Sequence, residues 1–309
     1  MRMHPSELAE RVERLMEMRA PCRLCPNACA VDRRSRESGR CGAGVSARVA
    51  SFGPHFGEER FLVGRSGSGT VFFSGCNLGC LFCQNWRISQ QREGADISDE
   101  DLAGIFLRVQ EMGCCNLNLV TPTPHTASIV HALAIAMEEG FALPIVWNCG
   151  GYESVEVLRC LDGIVNVYMP DLKYGDDDVA KRLSVIRDYV ARSRAAVREM
   201  HRQVGDLKVD DDGIARRGLL VRHLVLPEGL AGTESVMRFL AEEISLDTYV
   251  NVMDQYRPCH RSAEVPALRR RITAEEYDEA IGLAKAAGLR RFEQAWGARA
   301  NNDRGPHSV

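Results

Sequence analysis

Three cysteines in the segment Cys76-Asn77-Leu78-Gly79-Cys80-Leu81-Phe82-Cys83 are spaced C-x-x-x-C-x-x-C. They follow directly on an apolar, β-favouring run, Thr70-Val71-Phe72-Phe73. Four thiolates would close the ligand shell of a four-iron, four-sulfur cube, whereas three leave one iron free to take another ligand. An iron with an open position can do chemistry on what it binds instead of only passing electrons. Zinc sites usually take four ligands, often as two C-x-x-C pairs, and here no His or Cys follows closely enough to complete a tetrahedron. Zinc completed from afar, or three unrelated buried thiols, is the competing reading. The context fits a cluster: a strand delivers the first cysteine, Gly75 and Gly79 let the loop fold tightly, and Phe82 stands between the last two ligands.

A second group of thiols lies upstream, as Cys22-x-x-Cys25-Pro26-x-x-Cys29 and then Cys41-Gly42. Four thiolates suffice for a closed Zn²⁺ site or for a second iron–sulfur cluster. Both remain open, with a single ion slightly favoured. Either would order a segment too small to hold itself together. Cys114, Cys115, Cys149, Cys160 and Cys259 read as small buried hydrophobes.

The elements that must position these groups follow from periodicity. Residues 5–18 form an amphipathic helix with Leu8, Val12, Leu15 and Met16 on one face, ended by Pro21. Beyond the cysteine loop, strand-like runs at Leu117–Thr121, Pro144–Asn148, Ile164–Met169, Leu219–Leu226 and Thr248–Met253 alternate with helical stretches at 99–112, 126–139, 153–161, 177–204, 233–245 and 274–287. With Thr70–Ser74 this gives six βα units, hence a mostly parallel sheet covered by helices. Six units fall short of a closed eight-stranded barrel. The expected organisation is an N-terminal helix and Cys-rich module over 1–65, a core over 66–296, and a polar, disordered tail over 297–309.

In such folds chemistry gathers at the C-terminal ends of the strands. Those ends carry Cys76, then Thr121-Pro122-Thr123-Pro124-His125, Asn148-Cys149-Gly150-Gly151, Asp171-Leu172-Lys173, Arg222-His223, and Asp254-Gln255-Tyr256-Arg257-Pro258-Cys259-His260. Alternation along an extended segment puts Asp171 and Lys173 on one face.

The cysteine pattern resembles the C-x-x-x-C-x-aromatic-C motif of the radical S-adenosylmethionine (SAM) superfamily. The resemblance implies that Cys76, Cys80 and Cys83 ligate a [4Fe–4S] cluster whose free iron takes the amino and carboxylate groups of SAM, with Phe82 near the adenine. It further implies reductive cleavage of SAM to methionine and a 5′-deoxyadenosyl radical that abstracts hydrogen from a substrate. The implied fold is α/β, a partial (β/α)6 TIM-like barrel. Over residues 20–296 the chain looks like a branch described as pyruvate formate-lyase-activating-enzyme-like. Met169-Pro170-Asp171-Leu172-Lys173 is similar to the Asp-x-Lys motif of those activating enzymes, where the pair lies by SAM. Arg222 is similar to a strand arginine near SAM, and His260 to a late histidine. Where the family carries Gly-Gly-Glu at the end of the second strand, this chain has Thr-Pro-Thr-Pro-His, which argues against a standard activating enzyme. The implied partners are SAM, an electron donor such as flavodoxin or ferredoxin, and a substrate that is a glycyl radical enzyme backbone, another protein or a small molecule.

The bulk properties agree with an enzyme of this kind. The chain has 309 residues, 45% hydrophobic and 26% charged, with a formal charge of −3 that gives no reason to expect nucleic acid or an anionic membrane as partner. No run is apolar enough to span a membrane, and the N-terminus lacks a signal-peptide core. Twelve cysteines without a secretory signal read as ligands and thiols in a reducing cytoplasm. The competing function is a non-catalytic iron–sulfur or zinc protein for electron transfer or metal binding. The stretch Arg198–Gly205, between the fourth and fifth strands, is the expected specificity element if it overhangs the barrel mouth.

Overall fold

The computed structural model describes residues 4–35 and 37–293; the tail expected over 297–309 lies outside the described residues. In chain order the elements are α1 (Pro5–Glu17), β1 (Ala47–His55), α2 (Arg60–Val63), β2 (Ser68–Phe73), α3 (Trp86–Ser89), β3 (Ala95–Ile97), α4 (Asp99–Glu111), β4 (Leu117–Val120), α5 (Thr126–Glu138), β5 (Ile145–Cys149) and α6 (Val155–Cys160). They continue with β6 (Val167–Pro170), α7 (Asp177–Ser184), α8 (Tyr189–Val204), β7 (Lys208–Val209), β8 (Ala215–Leu224), α9 (Thr233–Glu243), β9 (Tyr249–Met253), α10 (Ala274–Ala286) and β10 (Arg291–Glu293).

Parallel pairing runs β2-β4-β5-β6-β8-β9-β10, in sequence order and without a reversal. That winding is the one that curls a βα array toward a barrel. It stays open, with β10 at one edge and β3 at the other, beyond the antiparallel β1. The six expected units are present, and the short β10 adds a seventh parallel strand. The expected helix over 177–204 is two helices, α7 and α8, broken where Val185 takes the left-handed conformation (φ 60°). Among the described residues no helix is long and apolar enough to cross a membrane.

Local signals place the helices. Ser98 caps α4 through the Asp101 amide, and three acidic residues fill the first turn, where they face the positive end of the helix dipole. Thr273 and Glu276 form a reciprocal capping box at α10.

Strand alternation divides the sheet between two cores. One face, with Val71, Leu117, Leu119, Trp147, Tyr168, Val221 and Val250, packs under the helices. The other is the barrel interior, where Val146, Val167, Met169 and Leu220 meet Phe61 and Leu62 of α2. Because His55 pairs with Ser68 at the start of β2, the α2 turn enters at the strand N-terminal end and closes it. At about 25 cal/mol per Å² of apolar surface, burying the Phe61 and Leu62 side chains stabilises this arrangement by several kcal/mol at most.

The stretch Arg198–Gly205 does not overhang the barrel mouth. The Gly205 carbonyl accepts from Leu219, which pairs with Tyr168 near the start of β6, and Arg198 pairs with Glu243 at the far end of α9. The helix runs antiparallel to the strands, so its C-terminal half is carried away from the strand ends, and the expected specificity role is withdrawn.

Candidate active site

The loop after β2 is fixed along its length by backbone bonds. Ser74 donates to the Arg48 carbonyl, Gly75 to Ile88, Gly79 to Ser184 and Leu81 to Leu183. In return the Leu81 carbonyl accepts from Arg261, the Cys80 carbonyl from Gln90, and the Phe82 carbonyl from the Cys259 thiol. Gly75 has φ +84°, and a Cβ there would stand 2.6 Å from the Cys41 carbonyl oxygen, so only glycine fits.

Each loop thiol has its own partner. Cys76 Sγ accepts the Leu78 amide at 3.4 Å, Cys80 Sγ accepts the Ser184 hydroxyl at 2.9 Å, and Cys83 Sγ shares a hydrogen bond with Ser89 Oγ at 3.2 Å. Burial pushes all three thiols up, and the nearby Lys173 ammonium pulls each back toward the thiolate.

Lys173 pairs with Asp171, and the two side chains are 18% and 25% exposed. Burial alone would lower the Lys173 pKa; the charge of Asp171 and the neighbouring Cys80 outweigh it and raise it. Tyr189 holds the backbone beneath, accepting the Lys173 amide at 2.9 Å and donating to the Asp171 carbonyl at 2.7 Å. Tyr174 completes a chain, its hydroxyl 2.6 Å from Ser184 Oγ, which donates to Cys80.

Phe82 is buried, edge-on to Tyr174 and Tyr256. Arg222 points into the barrel but is already engaged: its guanidinium binds both oxygens of Glu59 (2.8 and 2.6 Å) and one of Glu58, while Asn251 donates to Glu59 at 2.7 Å. Burial alone would raise the Glu58 carboxyl, but Arg222 and His55 bring it down to about 2. His260 lies flat against Trp86 (5.3 Å between centroids) and reaches Gln90 at 3.3 Å, so it packs on the loop rather than projecting from it. His125, at the second strand end, is consumed structurally: Nε2 donates to the Ser74 carbonyl at 2.8 Å and the ring stacks on Phe73. Thr123 donates to the buried Glu153 carboxyl at 2.6 Å.

Ser89, Ser184 and Tyr189, and the pairing of Glu58 and Glu59 with Arg222, were not legible from the sequence. Their roles depend on contacts across the fold; a Glu-Glu pair ahead of a strand is only weakly suggestive.

The donor set suits an iron–sulfur cube with one open iron. The three thiols share one loop beside a cation, and no other Cys, His, Asp or Glu closes a single-ion site with them among the described residues. A cube binds each thiolate at a separate iron, so its ligands stand farther apart than those of one ion. The interior also has unmet polar capacity: Asn118 faces inward from β4, fully buried, with neither side-chain polar atom hydrogen-bonded. That suits a polar ligand such as SAM.

The described N-terminal cysteines sit against this loop, where Asn27 donates to the Asn77 carbonyl at 2.8 Å. They do not form a closed single-ion site either.

Residues 70–209 match the family model described as the radical SAM superfamily. The chain is 34% identical over 295 residues to an uncharacterized protein of Methanocaldococcus jannaschii, covering 92% of this chain and 80% of that one. Among solved structures it is similar to the FeFe-hydrogenase maturase HydG from Carboxydothermus hydrogenoformans (TM-score 0.49, 13% identity, 69% of this chain), of which it spans about half, 49%. It is also similar to native anSMEcpe with bound AdoMet (TM-score 0.48, 9% identity, 71% of this chain and 61% of that one). Proteins of the matched family are enzymes that hold a [4Fe–4S] cluster and bind SAM. On the family match and the cysteine loop at its start, the chain belongs to the radical SAM superfamily.

Proposed function

We propose that this protein reductively cleaves SAM at a [4Fe–4S] cluster held by Cys76, Cys80 and Cys83, and that the resulting radical abstracts hydrogen from a protein or small-molecule substrate. The observation that carries the reading is the Asp171–Lys173 pair standing beside the three thiols, at a strand C-terminal end inside a family match. The cluster supplies one electron to SAM when both are bound. Lys173 presents an ammonium suited to a carboxylate, and Asp171 an oxygen suited to an amine. Asn118 offers an unmet donor and acceptor deeper in the barrel, and Phe82 shields the loop from water.

Arg222 we assign to positioning rather than to direct SAM contact, because its charge is spent on Glu58 and Glu59. His260 is a support for the loop through Trp86 and Gln90. Activation of a glycyl radical enzyme, by a branch like the pyruvate formate-lyase activating enzymes, is one form this activity takes. The missing Gly-Gly-Glu segment weighs against it, since His125 and Thr123 at that strand end have structural partners.

The test is anaerobic reconstitution, reduction by flavodoxin or dithionite, and incubation with SAM. The expected result is 5′-deoxyadenosine well above a Cys80→Ala control. Equal amounts in both refute the reading and leave electron transfer or metal binding as the function.

A further inference from the structure

Two observations meet at the junction of α7 and α8. The first is a route. The junction is bonded to the catalytic loop at three points: the Ser184 carbonyl accepts the Gly79 amide at 3.1 Å, the Leu183 carbonyl accepts the Leu81 amide at 2.8 Å, and the Ser184 hydroxyl donates to Cys80 Sγ at 2.9 Å. The next residue, Val185, lies at the surface, 54% exposed, although it is apolar and β-branched in the left-handed conformation (φ 60°). Such backbone strain persists where the surroundings hold it, and it gathers at sites of function. A Cβ on Gly79 would lie 3.7 Å from Val185 Cγ2, so the exposed side chain neighbours the loop itself. One buried serine separates the solvent-facing surface from a cysteine of the catalytic loop.

The second observation is charge. Lys181 and Arg182 in the last turn of α7, and Arg187 just beyond Val185, are exposed and form no ion pair among the described residues. Arg40 joins them, donating to the Ser184 carbonyl at 3.3 Å. The acids of the same stretch are mostly engaged: Asp176 caps α7 through the Val179 amide, Asp177 accepts the Val190 amide, and Asp188 pairs with Arg192. Asp178, exposed in the first turn of α7, is the remaining acid. The result is a basic rim around an apolar centre. Two other exposed flanks of the loop carry matched pairs instead, Arg87 with Glu93 beside α3 and Arg261 with Glu264. Uncompensated positive charge attracts an acidic partner and speeds its encounter.

We infer that Val185, Lys181, Arg182, Arg187 and Arg40 form the docking surface for an acidic one-electron carrier, a reduced flavin or iron–sulfur protein, that feeds the catalytic loop from its flank. The inference rests on the reading that Cys76, Cys80 and Cys83 hold a cluster. One electron leaves the carrier and enters that cluster by way of the Ser184–Cys80 contact; the carrier is oxidised by one electron, and no bond forms or breaks. This approach leaves the mouth past Asp171 and Lys173 to SAM and substrate, so reduction and substrate binding do not compete for space.

The experiment compares the reconstituted full chain with a Lys181→Glu/Arg182→Glu variant, using an acidic flavodoxin as the probe. Flavodoxin affinity is measured at low and at high salt. Formation of 5′-deoxyadenosine is measured with flavodoxin and, separately, with dithionite. At low salt the variant should bind flavodoxin at least about tenfold more weakly, and wild-type affinity should fall as salt rises. Its flavodoxin-driven rate at sub-saturating flavodoxin should fall alike, while the dithionite-driven rate is kept, because a small reductant needs no docking surface. That kept rate also shows that the variant folds. Val185→Gly is a second variant: glycine suits the left-handed backbone, so the fold is retained while the apolar centre is lost, and flavodoxin binding should weaken severalfold. Equal affinities and equal flavodoxin-driven rates in wild type and both variants overturn the inference, as does tighter binding of a DNA duplex than of flavodoxin. If dithionite gives wild type no 5′-deoxyadenosine above the Cys80→Ala control, the SAM reading fails, and the affinity ratio alone decides the docking surface.

Discussion

Arg222→Met is a strong perturbation of this fold. It removes the guanidinium between Glu58 and Glu59, whose side chains are 7% and 1% exposed, and leaves only Asn251 against Glu59 and His55 beside Glu58. Breaking a buried charge network by deleting one partner costs about 3–5 kcal/mol, because the partners left behind remain charged and desolvated. For a chain of this size each kcal/mol moves the midpoint by roughly 1.5–2 °C, so thermal unfolding of the metal-free protein should drop by roughly 4–10 °C. The loss should depend on pH. With Arg222 present, Glu58 is held down to about 2 and stays ionised. Without it, burial pushes the Glu58 carboxyl up, so it protonates on mild acidification and the penalty shrinks. The gap between variant and wild type should therefore be larger at pH 8 than at pH 5. Calorimetry at the two pH values reads both effects. A drop below about 2 °C at pH 8, or a gap that widens in acid, would refute the account of Glu58, Glu59 and Arg222 as a desolvated network.

Gly75→Ala combines a left-handed backbone with a Cβ 2.6 Å from the Cys41 carbonyl, and should cost more than half of the reconstituted iron at the catalytic loop, counted in a Cys25→Ala/Cys41→Ala background. His125 and His223 are held neutral by burial, at about 4 each, against 6.5 in the unfolded chain. Their folded pKa is depressed, so the folded state binds fewer protons; this stability is present above pH 6.5 and is lost as pH falls toward 4, on the order of 3 kcal/mol per histidine. His223→Asn should flatten that part of the stability-versus-pH curve, and urea midpoints between pH 4 and 7 measure it. Burial raises Glu153 to about 8, so its contribution has the opposite sign and fades as pH rises from 4.5 toward 8; Glu153→Gln should remove that decline.

What could be read from the sequence was local. The cysteine spacing, the alternation of apolar runs, and the cap at Thr273 each depend on residues a few positions apart. Asp171 and Lys173 were placed together by strand alternation alone, and they pair. The break at Val185 was not legible, because a β-branched residue is among the least expected in a left-handed conformation and only packing enforces it. β10 was missed because Arg291-Phe292-Glu293 has almost no strand character apart from its neighbour β9. Arg222 looked like a ligand-binding residue at a strand end until the fold brought Glu59, 163 positions away, against it. A separation of 104 positions likewise hid Ser184 from Cys80.

The α2 turn that fills the barrel's lower end has a consequence for traffic. Phe61 and Leu62 seal that end, and the same strand that rises from this seal, β2, delivers the first cysteine at its top. The floor and the reactive loop are thus one short length of chain. Any substrate, peptide or small molecule, must come and go by the opposite mouth, past Asp171 and Lys173. A change that lifts the floor pulls on the strand carrying the cluster before it opens any second door.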